Sequence, residues 1–151
     1  MNKHRILAKL IQLSVPFLNL FRNPKKWPYS FNQLSKMENG TLGKELYNFL
    51  NNRGLEYLPK YEVHDAYHAL LGYGTTVTEE LKLQAFMFAN GNATFAGKVL
   101  LSIGVIIFPS KIPTLKIEYN RGKNALPLKL HLIEELIERN LEELRSDLCI
   151  K

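Results

Sequence analysis

The stretch HDAYHALLGYGTTVTEELKLQAF, residues 64–86, contains two helix-forming segments separated by a glycine turn. The first segment belongs to a helix predicted over about 61–71, and the second begins a helix predicted over about 77–90. Gly72 and Gly74 bracket the turn, because glycine readily adopts the backbone conformation that ends a helix. Helices joined by so short a turn are expected to pack antiparallel. The stretch therefore predicts a helical hairpin.

Outside the hairpin, other segments also have recognisable start and stop signals. Three further helices are predicted, at about 41–50, 94–108 and 128–148. The alternating residues 115–119 favour a short strand, and the proline-containing residues 23–37 favour a connector. No repeat or linker divides the chain. The sequence predicts an all-α, single-domain bundle of about six helices.

The segment 94–108 is the most apolar part of the chain. As a helix of 15 residues it would rise about 22 Å, which is short of a hydrocarbon core of about 30 Å. Pro109 and Pro113 end it. We interpret it as a buried core helix, with the wall of a lipid pocket as the alternative.

The composition excludes several classes of protein. The 151 residues are 46% hydrophobic and 23% charged, which is typical of one globular domain rather than a disordered or collagen-like chain. A single cysteine, Cys149, excludes an intrachain disulfide and a zinc site built from several cysteines.

The net charge of +6 is concentrated at the N-terminus. Residues 1–37 contain seven basic and no acidic residues, whereas the remainder contains 13 basic and 14 acidic residues. Residues 1–36 form a basic amphipathic segment that is typical of contact with an anionic membrane surface, ahead of a helical domain over 37–151. A terminal helix packed on the core and a cleaved targeting segment remain alternatives. Nucleic acid is not expected as a partner, because basic and aromatic residues do not interleave.

A candidate metal site lies within the hairpin. His64 and His68 are four residues apart, so a helix places both imidazoles on one face. Asp65 borders that face as a ligand, a general base or a partner of a ligand. Glu80 is available as a further ligand, because a capping box from Thr76 occupies the preceding glutamate. Without a metal, the two histidines would be an ordinary surface or hydrogen-bonded pair.

With eleven residues between His68 and Glu80, this pattern of His64, Asp65, His68 and Glu80 resembles the hallmark of the family of the fourth coenzyme Q (ubiquinone) biosynthesis protein. The resemblance extends over about residues 37–150. It includes Glu38–Gly43, Tyr47, Tyr61, Gly72, Thr75–Thr76, Arg121–Gly122 and Leu141–Arg145.

The resemblance implies an all-helical fold, a divalent metal usually taken as zinc, and peripheral membrane association. It also implies contact with prenylated quinone precursors or related isoprenoid lipids, and with other quinone biosynthesis proteins. The family is credited with organising that assembly, and with replacing the carboxyl group at ring carbon one by hydroxyl. The short chain is more similar to a bacterial member, at the cytoplasmic face of the inner membrane, than to a mitochondrial precursor at the matrix face.

The first hypothesis is therefore a metal-dependent lyase acting on a prenylated aromatic quinone precursor. Its metal is held by His64, His68 and Glu80, with Asp65 as a fourth ligand or the base. Its lipid pocket is predicted to be lined by the apolar helix and by Tyr61, Tyr67, Gln84, Phe86 and Phe88. A non-catalytic prenyl-lipid scaffold with a structural metal, and an unrelated metallohydrolase, remain alternatives. A homodimer is left open.

Overall fold

The computed structural model describes residues 26–55 and 60–151. Residues 1–25 of the predicted basic amphipathic segment 1–36 therefore lie outside the described residues. The described part contains no strand beyond an isolated bridge between Thr41 and Asn140. The all-α prediction is therefore confirmed. The seven described helices are α1 Phe31–Ser35, α2 Leu42–Asn51, α3 Glu62–Leu71, α4 Val77–Ala89, α5 Phe95–Ile107, α6 Ile112–Asn124 and α7 Leu141–Asp147.

Threonine side chains fix the starts of three helices. The hydroxyls of Thr41, Thr76 and Thr94 each accept a hydrogen bond from the backbone amide three residues later, over 3.1–3.3 Å. Each bond satisfies one of the amides that a helix leaves without a partner in its first turn. The starts of α2, α4 and α5 therefore follow directly from the sequence.

Helix α4 lies between two apolar clusters. Leu83 and Phe86 belong to the main cluster with α1, α2, α3 and α7, whereas Leu81 and Ala85 belong to a smaller cluster with α5 and α6. The most extensive packing of α4 is against α6. Because α4 follows the glycine turn, this packing also sets the position of the residues at its N-terminal end.

The approach of α6 to α4 depends on Gly122. A Cβ atom at this position would lie 2.2 Å from the carbonyl oxygen of Phe86 and 2.9 Å from its Cα. These are backbone atoms of a buried helix, so they cannot move aside without separating the two helices. Only glycine allows the observed contact.

Two segments are more helical than the sequence predicted. The strand predicted at 115–119 is wrong, since these residues lie inside α6. Pro113 in the first turn favours the helix, and the buried Leu115 and Gly122 share one helical face despite the local alternation. The connector predicted at 23–37 contains the short helix α1, which begins with a capping box between Ser30 and Gln33.

The single helix predicted over 128–148 is also wrong. The chain instead forms 3₁₀ turns at Leu128–Leu130 and Ile133–Glu135 before α7. The backbone amides of Leu42 and Gly43 bond to the carbonyls of Arg139 and Ile137 at 2.9 and 2.7 Å. These tertiary bonds hold residues 137 and 139 outside a helix, although the apolar residues of 128–148 recur at helical spacing.

The apolar segment 94–108 is helical but is not buried as predicted. Only Gly97 and Gly104 of α5 are buried, whereas Phe95 is 82% and Ile106 is 79% exposed. Because apolar residues lie on all sides of α5, its sequence does not indicate which face packs inward. In the structure the face that contains Gly97 and Gly104 packs against α4. The opposite face remains apolar and open.

The membrane-spanning potential of the described helices is limited. Taken one at a time, none of them has both the length and the hydropathy needed to cross a bilayer. Phe95–Ile107 and Pro109–Asn124 meet the criteria only as a pair, and they are bent by 105° with respect to each other.

Candidate metal centre

Three potential ligand atoms come together where α3 faces the start of α4. His64 Nε2 lies 3.1 Å from His68 Nε2, and Glu80 Oε2 lies 3.4 and 3.2 Å from these two nitrogens. The three side chains range from half-buried to buried. The turn between the helices therefore brings Glu80 to the histidine pair, twelve residues beyond His68.

The triangle of ligand atoms fits a zinc-sized ion. Ligand atoms bound at about 2.0–2.1 Å to a tetrahedral zinc lie roughly 3.3–3.4 Å apart. The observed separations of 3.1–3.4 Å are close to that spacing without any rearrangement. Two imidazoles and one carboxylate are also a donor set that zinc commonly takes.

Hydrogen bonding fixes the orientation of His68. Its Nδ1 lies 3.3 Å from the backbone oxygen of Tyr73 and donates to it, because a carbonyl can only accept. Nε2 faces His64 and Glu80, and in the neutral imidazole it carries the lone pair that a metal would bind. The ring is 4% exposed and stacks on Phe49 at a centroid distance of 5.5 Å. His64 packs edge-on against the ring of Tyr61.

A second contact holds Glu80. The buried Gln84 donates from Nε2 to Glu80 Oε1 over 2.7 Å, which leaves Oε2 facing the histidines. Burial acts to raise the pKa of Glu80, but hydrogen bonds and charges from His64 and His68 outweigh it and hold the pKa well below its usual range. The carboxylate is therefore ionised and ready to bind a cation.

Helix α5 supports this contact from behind. A Cβ atom at Gly97 would lie 2.1 Å from Gln84 Oε1, so the glycine allows α5 to pack directly on the amide. The preceding glutamate, Glu79, pairs with Lys82 at 2.7 Å rather than completing the predicted capping box. The Glu79 carboxylate is thus engaged by Lys82, and Glu80 is the carboxylate that faces the histidines.

Asp65 lies beside the three atoms but is not one of the group within 4.8 Å of one another. Burial raises the pKa of its carboxyl to about 6, although the two neighbouring histidines act to lower it. The structure therefore places Asp65 within electrostatic reach of the candidate ligands. Its role as a ligand or a base remains a prediction.

Two arginines from distant parts of the chain close the C-terminal end of α3. Arg145 donates to the carbonyls of Leu70 and Ala69, at 2.9 and 3.2 Å. Arg121 donates to the carbonyl of Leu71 from both terminal nitrogens at 3.0 Å. These bonds satisfy carbonyls that the helix itself leaves unpaired. They also fix the segment that carries His68.

Arg121 is itself held in a polar cluster. Tyr73 donates to Glu118 at 2.6 Å, and Arg121 donates to the Tyr73 hydroxyl oxygen at 3.0 Å. Burial and the bond to Glu118 raise the pKa of Tyr73, so the phenol stays protonated. Sequence reasoning noted Arg121 and Arg145 only within the resemblance. Nothing in their local pattern indicates contacts with α3.

The structure places the five residues predicted to line a lipid pocket in different surroundings, and the pocket itself stays a prediction. Phe86 is fully buried in the main cluster, and Phe88 is 46% exposed beside Tyr119. Tyr67 accepts a hydrogen bond from Asn92, while Tyr61 and Gln84 contact His64 and Glu80, respectively. A separate cavity of about 480 Å³ adjoins His68 and is lined by other residues.

Comparison with known proteins gives a consistent set of relatives. The family model described as coenzyme Q (ubiquinone) biosynthesis protein Coq4 matches residues 25–151. The ubiquinone biosynthesis protein COQ4, mitochondrial, of Yarrowia lipolytica is 33% identical over 100 residues, which cover 60% of this chain and 36% of that protein. The protein of the same name from Talaromyces marneffei is 29% identical over 99% of this chain and 54% of its own length. The chain thus spans about half or less of these two relatives.

A solved structure supports the fold. The crystal structure of a protein from Nostoc punctiforme, described as a ubiquinone biosynthesis protein, has a TM-score of 0.64 and 24% identity. The match covers 99% of this chain and 80% of the other. At this identity, the similarity shows a shared helical architecture.

Proposed function

The chain belongs to the family of the coenzyme Q (ubiquinone) biosynthesis protein Coq4, and we propose that it processes a prenylated aromatic precursor of ubiquinone at a divalent metal centre. The observation that carries the proposal is the triangle formed by His64, His68 and Glu80, with edges of 3.1–3.4 Å. The hydrogen bonds from His68 to the Tyr73 carbonyl and from Gln84 to Glu80 also support the proposal. They hold the donor atoms in place and face them towards one another.

Zinc is the metal that this donor set suits best. Three protein ligands are typical of catalytic zinc sites, whereas structural sites are normally closed by four. When bound, such an ion acts as a Lewis acid towards a carboxylate or phenolate oxygen. The chain's own contribution is to hold His68 in one tautomer and to keep Glu80 ionised. Asp65 is the proposed general base or fourth ligand.

The proposed reaction acts on the carboxyl group at ring carbon one. The carbon–carbon bond to the ring breaks, and the carboxyl carbon leaves as carbon dioxide. Replacement by hydroxyl balances with dioxygen as the two-electron oxidant and water as the source of the new oxygen atom, the dioxygen leaving as hydrogen peroxide. Asp65, as the proposed base, would exchange a proton with the ring or its phenol.

The proposed location is the surface of a membrane. A long prenyl tail does not leave a bilayer freely, so a site for such a substrate is best placed there. The basic segment 1–36 supports contact with anionic lipid. The two curated relatives are named as mitochondrial, which supports a mitochondrial location, with the matrix face of the inner membrane as the proposed side and the cytoplasmic face of a bacterial inner membrane as the alternative. Other ubiquinone biosynthesis proteins are the proposed partners.

Removal of the metal tests the function directly. We expect purified protein to release labelled carbon dioxide from a prenylated aromatic acid labelled at its carboxyl carbon, in the presence of oxygen. Chelation should reduce this release to the background rate, and added zinc should restore it. Equal release with and without metal would overturn the proposal.

The same experiment separates an enzyme from a scaffold. If chelation unfolds the protein, as circular dichroism would show, and no substrate is converted before or after it, the metal is structural. The chain would then be a non-catalytic prenyl-lipid scaffold of the biosynthetic assembly.

The packing of α5 on Gln84 gives a prediction for metal affinity. Replacing Gly97 by alanine should displace the Gln84 amide and loosen Glu80, lowering zinc affinity by about tenfold, as is typical for a residue that supports a ligand. Competition with a chromophoric chelator measures this affinity. Gly104→Ala is the matched control, because its added methyl would meet Leu81 of the smaller apolar cluster. Equal zinc affinities for the two variants would contradict the role of Gln84.

A further inference from the structure

The outer faces of α5 and α6 expose a set of large apolar side chains. Phe95 and Ile106 of α5 are 82% and 79% exposed, and Ile117 of α6 is 65% exposed. Val99 and Ile112 are also more than 40% exposed. We propose that these two faces form a docking surface for a bilayer containing anionic lipid. The proposal rests on the proposed function, since it identifies the surface that meets the substrate's membrane.

The exposure follows from how α5 is anchored. Its inner face packs through Gly97 on Gln84 and through Gly104 on Leu81. Residues 95, 99 and 106 recur at helical spacing, so they share the face opposite to these glycines. The apolar outer face is therefore fixed by well-packed contacts on the inner one. It has a definite orientation with respect to the domain.

The charge around this surface has one sign. Residues 95–124 contain five basic residues and one acidic residue. Lys98, Lys116 and Lys123 are exposed. The acidic residue, Glu118, is occupied by the hydroxyl of Tyr73 and lies 3.6 Å from Arg121. The outward charge is thus positive.

This charge pattern selects the partner. A second copy of the chain would bring like charges together if the same faces met, which disfavours self-association. Anionic lipid headgroups instead attract exposed lysines that lie near the membrane surface. Lysine side chains can also extend towards the headgroups while neighbouring apolar side chains enter the bilayer.

The shape of the helix pair favours a position within the interface. The 13 residues of α5 rise only about 20 Å, less than a hydrocarbon core of about 30 Å. The bend of 105° prevents α5 and α6 from forming a straight span. Short helices with an apolar face and lysines lie in the interfacial plane rather than across the bilayer.

The same helix connects the surface to the metal centre. The inner side of α5 contacts Gln84, which in turn bonds to Glu80. A helix with its side chains is about 10–12 Å across. Docking through the outer side would therefore hold the metal centre about one helix diameter from the lipid, within reach of a ring whose tail stays in the bilayer.

Vesicle binding by the chain of 151 residues tests the surface. Sedimentation with vesicles of phosphatidylcholine and phosphatidylglycerol should show binding that weakens in high salt and with phosphatidylcholine alone. The double variant Ile106→Glu/Ile117→Glu should reduce partitioning by at least about tenfold. Leu132→Glu is the matched control, because Leu132 is 49% exposed but lies outside both helices. Circular dichroism verifies that each variant is folded.

Several results would overturn the proposal. Wild-type protein that does not bind, or a double variant that binds as well as the wild type, would show that the surface is not used. If the wild type is a dimer, and the double substitution makes it a monomer without loss of vesicle binding, the surface belongs to a second copy.

The vesicle measurement requires neither metal nor turnover, so it is independent of the proposed function. Normal vesicle binding by a protein without turnover would refute the proposed function and leave the surface assignment intact.

Discussion

Replacing Glu80 by alanine is expected to lower the affinity for zinc by more than about a hundredfold, since changes in residues that only support a ligand already cost 10–100-fold. The substitution removes the carboxylate from the triangle and leaves two imidazoles as the remaining donors. Calorimetric titration of metal-free protein measures the change. Carbon dioxide release should fall to the background rate in the same variant.

Glu79→Ala is the matched control for this experiment. Glu79 is the adjacent glutamate in the first turn of α4, and its carboxylate pairs with Lys82. Both variants lose one negative charge near the helix N-terminus, so a general effect of charge would weaken zinc binding in both. We expect Glu79→Ala to retain affinity within about twofold. Full zinc content and full turnover in Glu80→Ala would refute the metal assignment.

Replacing Gly122 by alanine is expected to destabilise the protein by about 3 kcal/mol, the upper part of the usual range for overpacking a core. The added methyl group would meet backbone atoms of Phe86, and α4 and α6 would have to separate. For a chain of this size the melting temperature should fall by about 6–12 °C. Thermal unfolding followed by circular dichroism measures this.

A glycine in an open position provides the control for this substitution. A Cβ at Gly74 would have Glu79 Cγ as its nearest neighbour, at an ordinary contact distance of 3.5 Å. Gly74→Ala should therefore change the free energy of unfolding by less than about 0.5 kcal/mol. Equal stability of the two variants would mean that α4 and α6 can separate at little cost.

Local signals explain the parts of the fold that were predictable. The starts predicted for α2, α4 and α5 agree with the threonine caps in the structure. The left-handed Gly72, at φ 78°, ends α3 as the glycine turn suggested. The strand prediction failed because alternation over five residues cannot distinguish a strand from the face of a helix. The C-terminal helix prediction failed because backbone bonds from Leu42 and Gly43 hold Arg139 and Ile137 outside a helix.

In the candidate site, too, the contacts between residues close in sequence were predictable and the long-range contacts were not. The approach of Glu80 to His64 and His68 could be predicted, because all three lie within 17 residues and one turn. The contact of Gly97 with Gln84 could not, since it depends on which face of a uniformly apolar helix packs inward. The bonds from Arg121 and Arg145 cross 50 and 75 residues, respectively, and no local spacing encodes them.

These long-range arginine bonds have a consequence for the order of assembly. During synthesis the histidines and Glu80 emerge well before Arg145, so the three ligands exist in the nascent chain before the end of α3 can be secured. Chains fold as cooperative units once their distant contacts are available. A chain that stops before Arg145 would therefore contain all three candidate ligands but lack the bonds from Arg145 that hold the end of α3. The candidate centre is accordingly completed only after Arg145 has been translated.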